Sequence, residues 1–323
     1  MNIVIIGAGQ IGSRHLQAIT NLNEDVLVQL VDTSPESLRI SKERFYEVGN
    51  DSQNIKLFCH GSMDSIEGSI DVAIIATCSD TRSSVIKELT HKKKVKYFIL
   101  EKVLFPSIAE YYEIAELLED KNILAWVNCY MRSRDFYKEL KKQIDSKEKI
   151  DMKVEGVLWG LGCNSIHFMD YFSFLTDCID FNFTEVLLDK ETIVSKRSGF
   201  IEFTGMLAGE NSRGDSLVLV CHPKGDSPVK ISIKNGSQSH DIAEHIDHVI
   251  HNVSKEGNKF IKKVNIPFQS QTTHKLISQI IDRNECDLTK YNESMKLHIP
   301  LINTFLGHME KITGICTESC PIT

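Results

Sequence analysis

The chain has 323 residues, 41% hydrophobic and 25% charged, a globular composition with room for two cores of roughly 150 residues each. Its 37 basic residues against 44 acidic ones leave a net charge of −7, which argues against broad attraction to nucleic acid or an anionic membrane surface. No apolar stretch nears the roughly 18 residues of a membrane span, the apolar start at residues 3–6 is too short for a secretory signal, and nine cysteines without a CxxC pair read as reduced thiols of a cytoplasmic protein.

The first run, Asn2–Ile6, is continuously apolar, as strands buried on both faces of a parallel sheet are. Runs at 26–31, 55–59, 72–76, 97–100 and 123–128 repeat it. Amphipathic stretches at 10–22, 35–48, 83–91 and 107–118 separate them, and Ser34 before Pro35 marks a helix start. Six strands with helical crossovers predict a doubly wound parallel α/β sheet. From about residue 150 the rhythm changes. Segments 152–159, 181–188, 200–206, 216–221 and 229–233 read as strands joined by polar turns, with helices at 165–175, 272–281 and 291–312. This half is expected to be an α+β domain with a large, mostly antiparallel sheet, and a helical stretch at 136–144 lies near the boundary. The expected division is 1–128 and 129–323.

Gly7-Ala-Gly-Gln-Ile-Gly12 follows the first strand directly and opens a helix. Gly7 allows the tight turn, Gly9 lets backbone approach a pyrophosphate, and Gly12 lets helix pack on strand, while the amides of Gln10 and Ile11 begin the helix on which phosphates sit. Asp32 ends the second strand 20 residues after Gly12, where it would bind the adenine ribose and repel a 2′-phosphate, favouring NAD over NADP. The plainer readings are a glycine turn without ligand and an Asp that caps the helix beginning at Ser34-Pro35.

Gly7 to Gly12 extended by Ser13-Arg14-His15, then Ala76-Thr77, Glu101-Lys102, Asn128-Cys-Tyr-Met-Arg132 and His167-Phe-Met-Asp170, resembles the glucose–fructose oxidoreductase/inositol dehydrogenase (Gfo/Idh/MocA) family in order and spacing. That resemblance implies a Rossmann domain that binds NAD(P), and oxidation or reduction of sugars, cyclitols or sugar nucleotides. It adds Ala76, Thr77, Arg82 and Glu101 to the cofactor-binding residues. It further implies a site in a cleft between domains, with Lys102 beside the nicotinamide and His167 from the second domain, and pairing of second-domain sheets into homodimers or homotetramers. Lys102 and His167 suit the proton transfer that hydride transfer from an alcohol requires. Otherwise Lys102 is a solvated lysine and His167 a packed helix residue.

Three positions depart from the family pattern. Val103 replaces the proline of Glu-Lys-Pro, so a trans bond is expected before it. Cys163 stands where the family has its catalytic Asp, and Arg82 stands where it often has His. A thiol holds a carboxylate's charge only if its pKa is depressed, which puts the proton-transfer role of Cys163 in question. Asn164 can orient a hydroxyl but moves no proton. Tyr130 and Arg132 are candidates for substrate hydroxyls, carboxylate or phosphate, with a domain-interface ion pair as the alternative for Arg132. His240, His245, His248 and His251 lack a metal-binding spacing, and on a strand His245 and His248 would face opposite ways. Two other functions stay open: a redox-assisted glycosidase or epimerase that recycles bound NAD, and a non-catalytic NAD-binding sensor or partner subunit.

Overall fold

The computed structural model describes residues 1–48, 54–255 and 258–323, which form two compact units. In the first, β1 (Asn2–Ile6), β2 (Val26–Val31), β3 (Ile55–His60), β4 (Ile70–Ile75), β5 (Val95–Leu100) and β6 (Leu124–Val127) are parallel neighbours in the order 3-2-1-4-5-6. Helices α1 (Gln10–Ile19), α2 (Pro35–Val48), α3 (Ser79–Lys92) and α4 (Ile108–Asp120) connect them. The register sets Ile5 beside Leu30 on one side and Ile74 on the other, and all three are fully buried. This is why these strands are mostly apolar rather than alternating. The strand order reverses between β1 and β4, so the loops leaving those two strands open a crevice at the carboxyl edge of the sheet.

The second unit begins with α5 (Asp135–Lys141), β7 (Ile150–Val157), α6 (Leu161–Thr176) and β8 (Asn182–Leu188). A two-stranded ribbon of β9 (Ile193–Val194) and β10 (Ile201–Glu202) follows. Then come β11 (Gly205–Glu210), β12 (Ser216–His222), β13 (Lys230–Asn235), β14 (Gln238–Glu244), β15 (His248–Lys255) and β16 (Asn258–Asn265). The large sheet runs 16-15-14-13-7-12-11-8, antiparallel except for the parallel pair β7 and β12. One expected strand, 200–206, divides in two. Gly205 sits at φ +109°, where a Cβ would meet the Leu187 carbonyl at 2.4 Å, so the chain leaves the ribbon and enters the large sheet there.

Residues 267–292 return to the first unit, which a single cut after residue 128 misses. This segment holds α7 (Thr273–Arg283) and β17 (Thr289–Lys290), which adds an antiparallel seventh strand beside β6. The apolar stripe of α7, with Leu276, Ile277 and Ile280, joins the core built from Ile3, Val28, Val72 and Trp126. In sequence that stripe suits either core. The chain ends in the second unit with α8 (Tyr291–Thr313) and its tail. No helix among the described residues is long and apolar enough to cross a membrane.

Candidate functional site

The glycine motif forms a cradle after β1. Gly7 has φ +99°, and a Cβ there would stand 2.8 Å from the Ala76 carbonyl group, so the loops after β1 and β4 touch. At Gly12 a Cβ would lie 1.8 Å from the Gly7 carbonyl oxygen, whereas at Gly9 it would meet nothing within 4 Å. Gly7 and Gly12 thus serve close packing, and Gly9 leaves open backbone over the start of α1. That helix has no side-chain cap hydrogen bond at Gly9, and Gln10 and Ile11 form its first turn at the surface. Thr77 Oγ1, in the facing loop, is buried without a hydrogen-bond partner among the described residues. Open backbone, an uncapped helix start and an orphaned hydroxyl fit a dinucleotide phosphate. The half-buried Asp32 accepts from the Ala8 amide at 2.6 Å and the Ser34 amide at 2.8 Å. It therefore braces the cradle and the start of α2 together, and each carboxylate oxygen keeps an acceptor direction for ribose hydroxyls.

Beyond β5 the chain packs a buried polar network that sequence reading did not reveal. Glu101 accepts from His15 Nε2 at 2.8 Å and from the Asn128 amide at 2.5 Å. A carboxylate only accepts, so His15 Nε2 carries a proton toward it, and Nδ1 faces the Thr273 hydroxyl at 2.8 Å. Burial alone would push the Glu101 carboxyl up. The His15 hydrogen bond and charge, the Asn128 amide and the Lys102 charge together outweigh it and hold the group below the usual carboxylate range. Glu101 is thus a buried brace, and its carboxylate points into this network rather than standing open for a cofactor. Lys102, next along, is half-buried at the carboxyl edge of the sheet. The Lys102–Val103 peptide is cis, contrary to the expected trans bond. Arg82, expected at the cofactor, is almost fully buried and donates to the carbonyls of Thr77, Val103 and Leu104. Its fork ties together the loops after β4 and β5.

In the second unit α6 begins at Gly160, which lies in the left-handed region at φ +81° and contributes no cap. Glu202, from β10, caps the helix instead, accepting from the Gly162 amide at 2.7 Å and the Cys163 amide at 3.3 Å. A carboxylate therefore does stand at the start of this helix, though it comes from another strand. The Cys163 thiol faces the Gly160 carbonyl at 3.8 Å. Asn164, expected to orient substrate, donates its amide to the Trp159 carbonyl at 2.7 Å and so secures the turn into the helix. His167 is buried in the second turn of α6, its ring centroid 4.5 Å from that of Tyr130.

Arg132, expected at the substrate, donates through Nε to the buried Asp170 carboxylate at 2.9 Å and through Nη2 to the Asp170 carbonyl at 3.1 Å. Its ion pair is internal to this unit. Arg134, not singled out by sequence, stacks 4.0 Å over the Tyr130 ring. Burial and the charge of Glu244 push the Tyr130 phenol up to about 12, and burial lowers the affinity of Arg134 for its proton. Glu244 in turn accepts from the Tyr137 hydroxyl.

The other histidines form pairs. His240 and His251 stack with Nδ1 and Nε2 3.0 Å apart, and burial lowers His240 to about 4. His245 and His248 also stack, with centroids 4.6 Å apart, because His245 lies in the turn before β15 and not on a strand as expected. No three metal-ligating side chains converge among the described residues.

Residues 1–129 match the model of the Gfo/Idh/MocA oxidoreductase family, NAD-binding Rossmann fold. No curated protein matches the chain significantly. Among solved structures, an oxidoreductase from Agrobacterium radiobacter in complex with NAD+, L-tartaric acid and magnesium is 12% identical, with TM-score 0.71 and 98% of each chain covered. The UDP-N-acetylglucosamine 3-dehydrogenase of Acidithiobacillus ferrooxidans is 12% identical, with TM-score 0.67, covering 94% of this chain and 96% of its own. A super-repressor mutant of Gal80p from Saccharomyces cerevisiae is 13% identical, with TM-score 0.71 and 99% of each chain covered. At such identities the likeness is one of fold, and it spans both units.

The Glu101 network predicts a pH dependence of stability. Because its folded-state pKa lies below the ordinary glutamate value, its contribution is complete above that range and is lost as pH falls through the folded value. Glu101→Gln should cost about 1–3 kcal/mol at neutral pH and flatten the acid limb of stability. Urea unfolding at several pH values checks this, and a parallel acid limb in the variant would remove the role.

Proposed function

Because the chain carries the NAD-binding Rossmann domain of the Gfo/Idh/MocA oxidoreductase family, we propose that it moves a hydride between nicotinamide and a hydroxyl or keto carbon of a sugar or sugar nucleotide. The observation that carries this reading is Lys102, two residues beyond β5, at the same sheet edge as the cradle after β1 and the Ala76–Thr77 loop after β4. Bound NAD supplies the two-electron acceptor or donor. The chain's own residues then bind, position and move a proton. Gly7, Gly9 and Gly12 with the first amides of α1 hold the pyrophosphate, and Asp32 holds the adenine ribose. Lys102 Nζ takes the hydroxyl proton in oxidation and returns it in reduction, and His167 is the second titrating group. Arg82 and Glu101 act as positioning residues, since their side chains hold the loops on either side of Lys102. The protein works in the cytoplasm, in keeping with its charge and its free thiols.

A second reading, a non-catalytic NAD-binding subunit, is favoured by Cys163, which is a thiol where the family pattern has a carboxylate. The two readings part on one measurement. Lys102→Ala should lower the hydride-transfer rate about 10²–10⁴-fold while NAD still binds, as followed by rapid-mixing NADH absorbance. An unchanged rate would remove Lys102 from the mechanism. No transfer in the wild type, with any sugar that demonstrably binds, would leave the non-catalytic reading.

Cofactor preference rests on Asp32. A 2′-phosphate beside its carboxylate meets charge repulsion and desolvation, so NAD should bind at least ~10-fold tighter than NADP, about 1.4 kcal/mol. In Asp32→Ala the gap should shrink, chiefly because NADP binds better, although the lost brace to Ala8 weakens both. Calorimetry that gives NADP equal or higher affinity in the wild type would sink the assignment.

The large sheet buries one face through Met152, Val154, Leu217, Leu219 and Ile231. Its other face carries Met206, Val218 and Val220 only half-buried, and this supports pairing with a second copy into a dimer or tetramer. Light scattering at micromolar concentration should return a multiple of the 36.6 kDa chain, and a monomer would refute the pairing.

A further inference from the structure

Three arginines lie in or near the loops just described, and two of them donate from the guanidinium to other groups of the protein. Arg82 faces three backbone carbonyls, and Arg132 faces Asp170. Arg134 is different. Its backbone is pinned as the residue that begins α5, with its amide on the Met131 carbonyl at 3.1 Å. The guanidinium is stacked on Tyr130, and Nε is buried without a hydrogen-bond partner among the described residues. The nearby Glu244 carboxylate accepts from Tyr137, and no ion pair joins it to Arg134 among those residues. Stacking satisfies the face of a guanidinium but none of its five in-plane donors. A half-buried fork set over a ring, with Nε unmet among the described residues, suits a planar or tetrahedral oxyanion that takes two parallel hydrogen bonds from it. The same Tyr130 ring carries His167 on its other neighbour contact, 4.5 Å between centroids.

We propose that Arg134, and not Arg132, receives an anionic oxygen group of the substrate, a carboxylate or a phosphate, so that the substrate is a sugar acid, a sugar phosphate or a sugar nucleotide rather than a neutral sugar. Tyr130 fixes the distance between this anion contact and His167. The inference rests on the oxidoreductase reading for the identity of the sugar, but its test reads binding alone.

The experiment is calorimetry on the full chain saturated with NAD+, using D-glucose, D-glucuronate and D-glucose 1-phosphate as neutral, carboxylate and phosphate probes. One anionic probe should bind at least ~10-fold tighter than glucose, which tells the two sources apart. Arg134→Gln should abolish that advantage and Arg134→Lys should keep part of it, with glucose affinity unchanged in both. Failure of every anionic probe to bind at millimolar concentration, or equal binding of all three, would overturn the proposal. So would an equal loss for all probes in Arg134→Gln. Should that variant not fold, Arg134→Lys decides alone: a charge retained without the fork must still lose affinity for the anionic probe and none for glucose. An anion preference lost with Arg134, in a protein that transfers no hydride, would leave this inference standing and remove the oxidoreductase reading.

Discussion

A carboxylate buried at the end of β5 governs how the carboxyl edge of the first unit is built. Glu101 sits in the apolar interior, where an unpaired charge would be expelled or protonated, and His15 and Asn128 keep it ionised. Those partners come from α1 and from the end of β6, so one buried acceptor sets three elements against each other. His15 also reaches Thr273 at the start of α7, which brings the returning segment 267–292 into the same network. Lys102 follows Glu101 directly. Its position is therefore inherited from a hydrogen-bond network that it adjoins, which gives the flexible side chain proposed for proton transfer a defined starting point.

The cradle after β1 follows the same logic with backbone in place of charge. Gly12 lets α1 approach so closely that a methyl group would overlap the Gly7 carbonyl, and Gly7 lets the loop turn against Ala76. Asp32 then braces the loop through the Ala8 amide. The side chain proposed to discriminate between cofactors is thus also a structural support: it accepts from Ser34 at the entry to α2, as the plainer sequence reading has it, and this leaves the proposed ribose contact sterically open. The two roles are compatible because each carboxylate oxygen has two lone pairs.

Much of this was legible in sequence, for reasons that differ by element. Strands β1, β2 and β4 are buried on both faces, so their mostly apolar runs, interrupted only by Asn2, Gln29 and Asp71, leave few other readings. In β14 and β15 the buried positions include His240 and His251, and β16 is almost wholly exposed and carries Lys259, Lys262 and Lys263, so no clear apolar alternation announces these strands. Two-residue β17 has no pattern to read at all. The glycine motif is local and therefore visible. The Glu101 network joins residues 86 apart, and the Glu202 cap on α6 joins residues 40 apart, and neither separation leaves a trace in spacing.

The arginines show where sequence reasoning runs out. Arg82, Arg132 and Arg134 have the same chemistry, and each lies close to a motif residue, so proximity ranks Arg132 first because it follows the sixth strand most closely. What separates them is how many of five donors the protein itself meets. Carbonyls exposed by the loops after β4 and β5 accept from Nη1 and Nη2 of Arg82, and a buried aspartate on α6 accepts from Nε and Nη2 of Arg132. Once a guanidinium is matched within the fold, releasing it to a ligand would take from the buried Asp170 carboxylate its ion pair with Arg132, a cost of several kcal/mol. Arg134 makes no direct hydrogen bond to its acidic neighbour Glu244, which accepts from the Tyr137 hydroxyl instead and feels the guanidinium only through its charge. The residue most available to a substrate is therefore the one whose partners the fold left out, and that is a property of the packed molecule rather than of any motif.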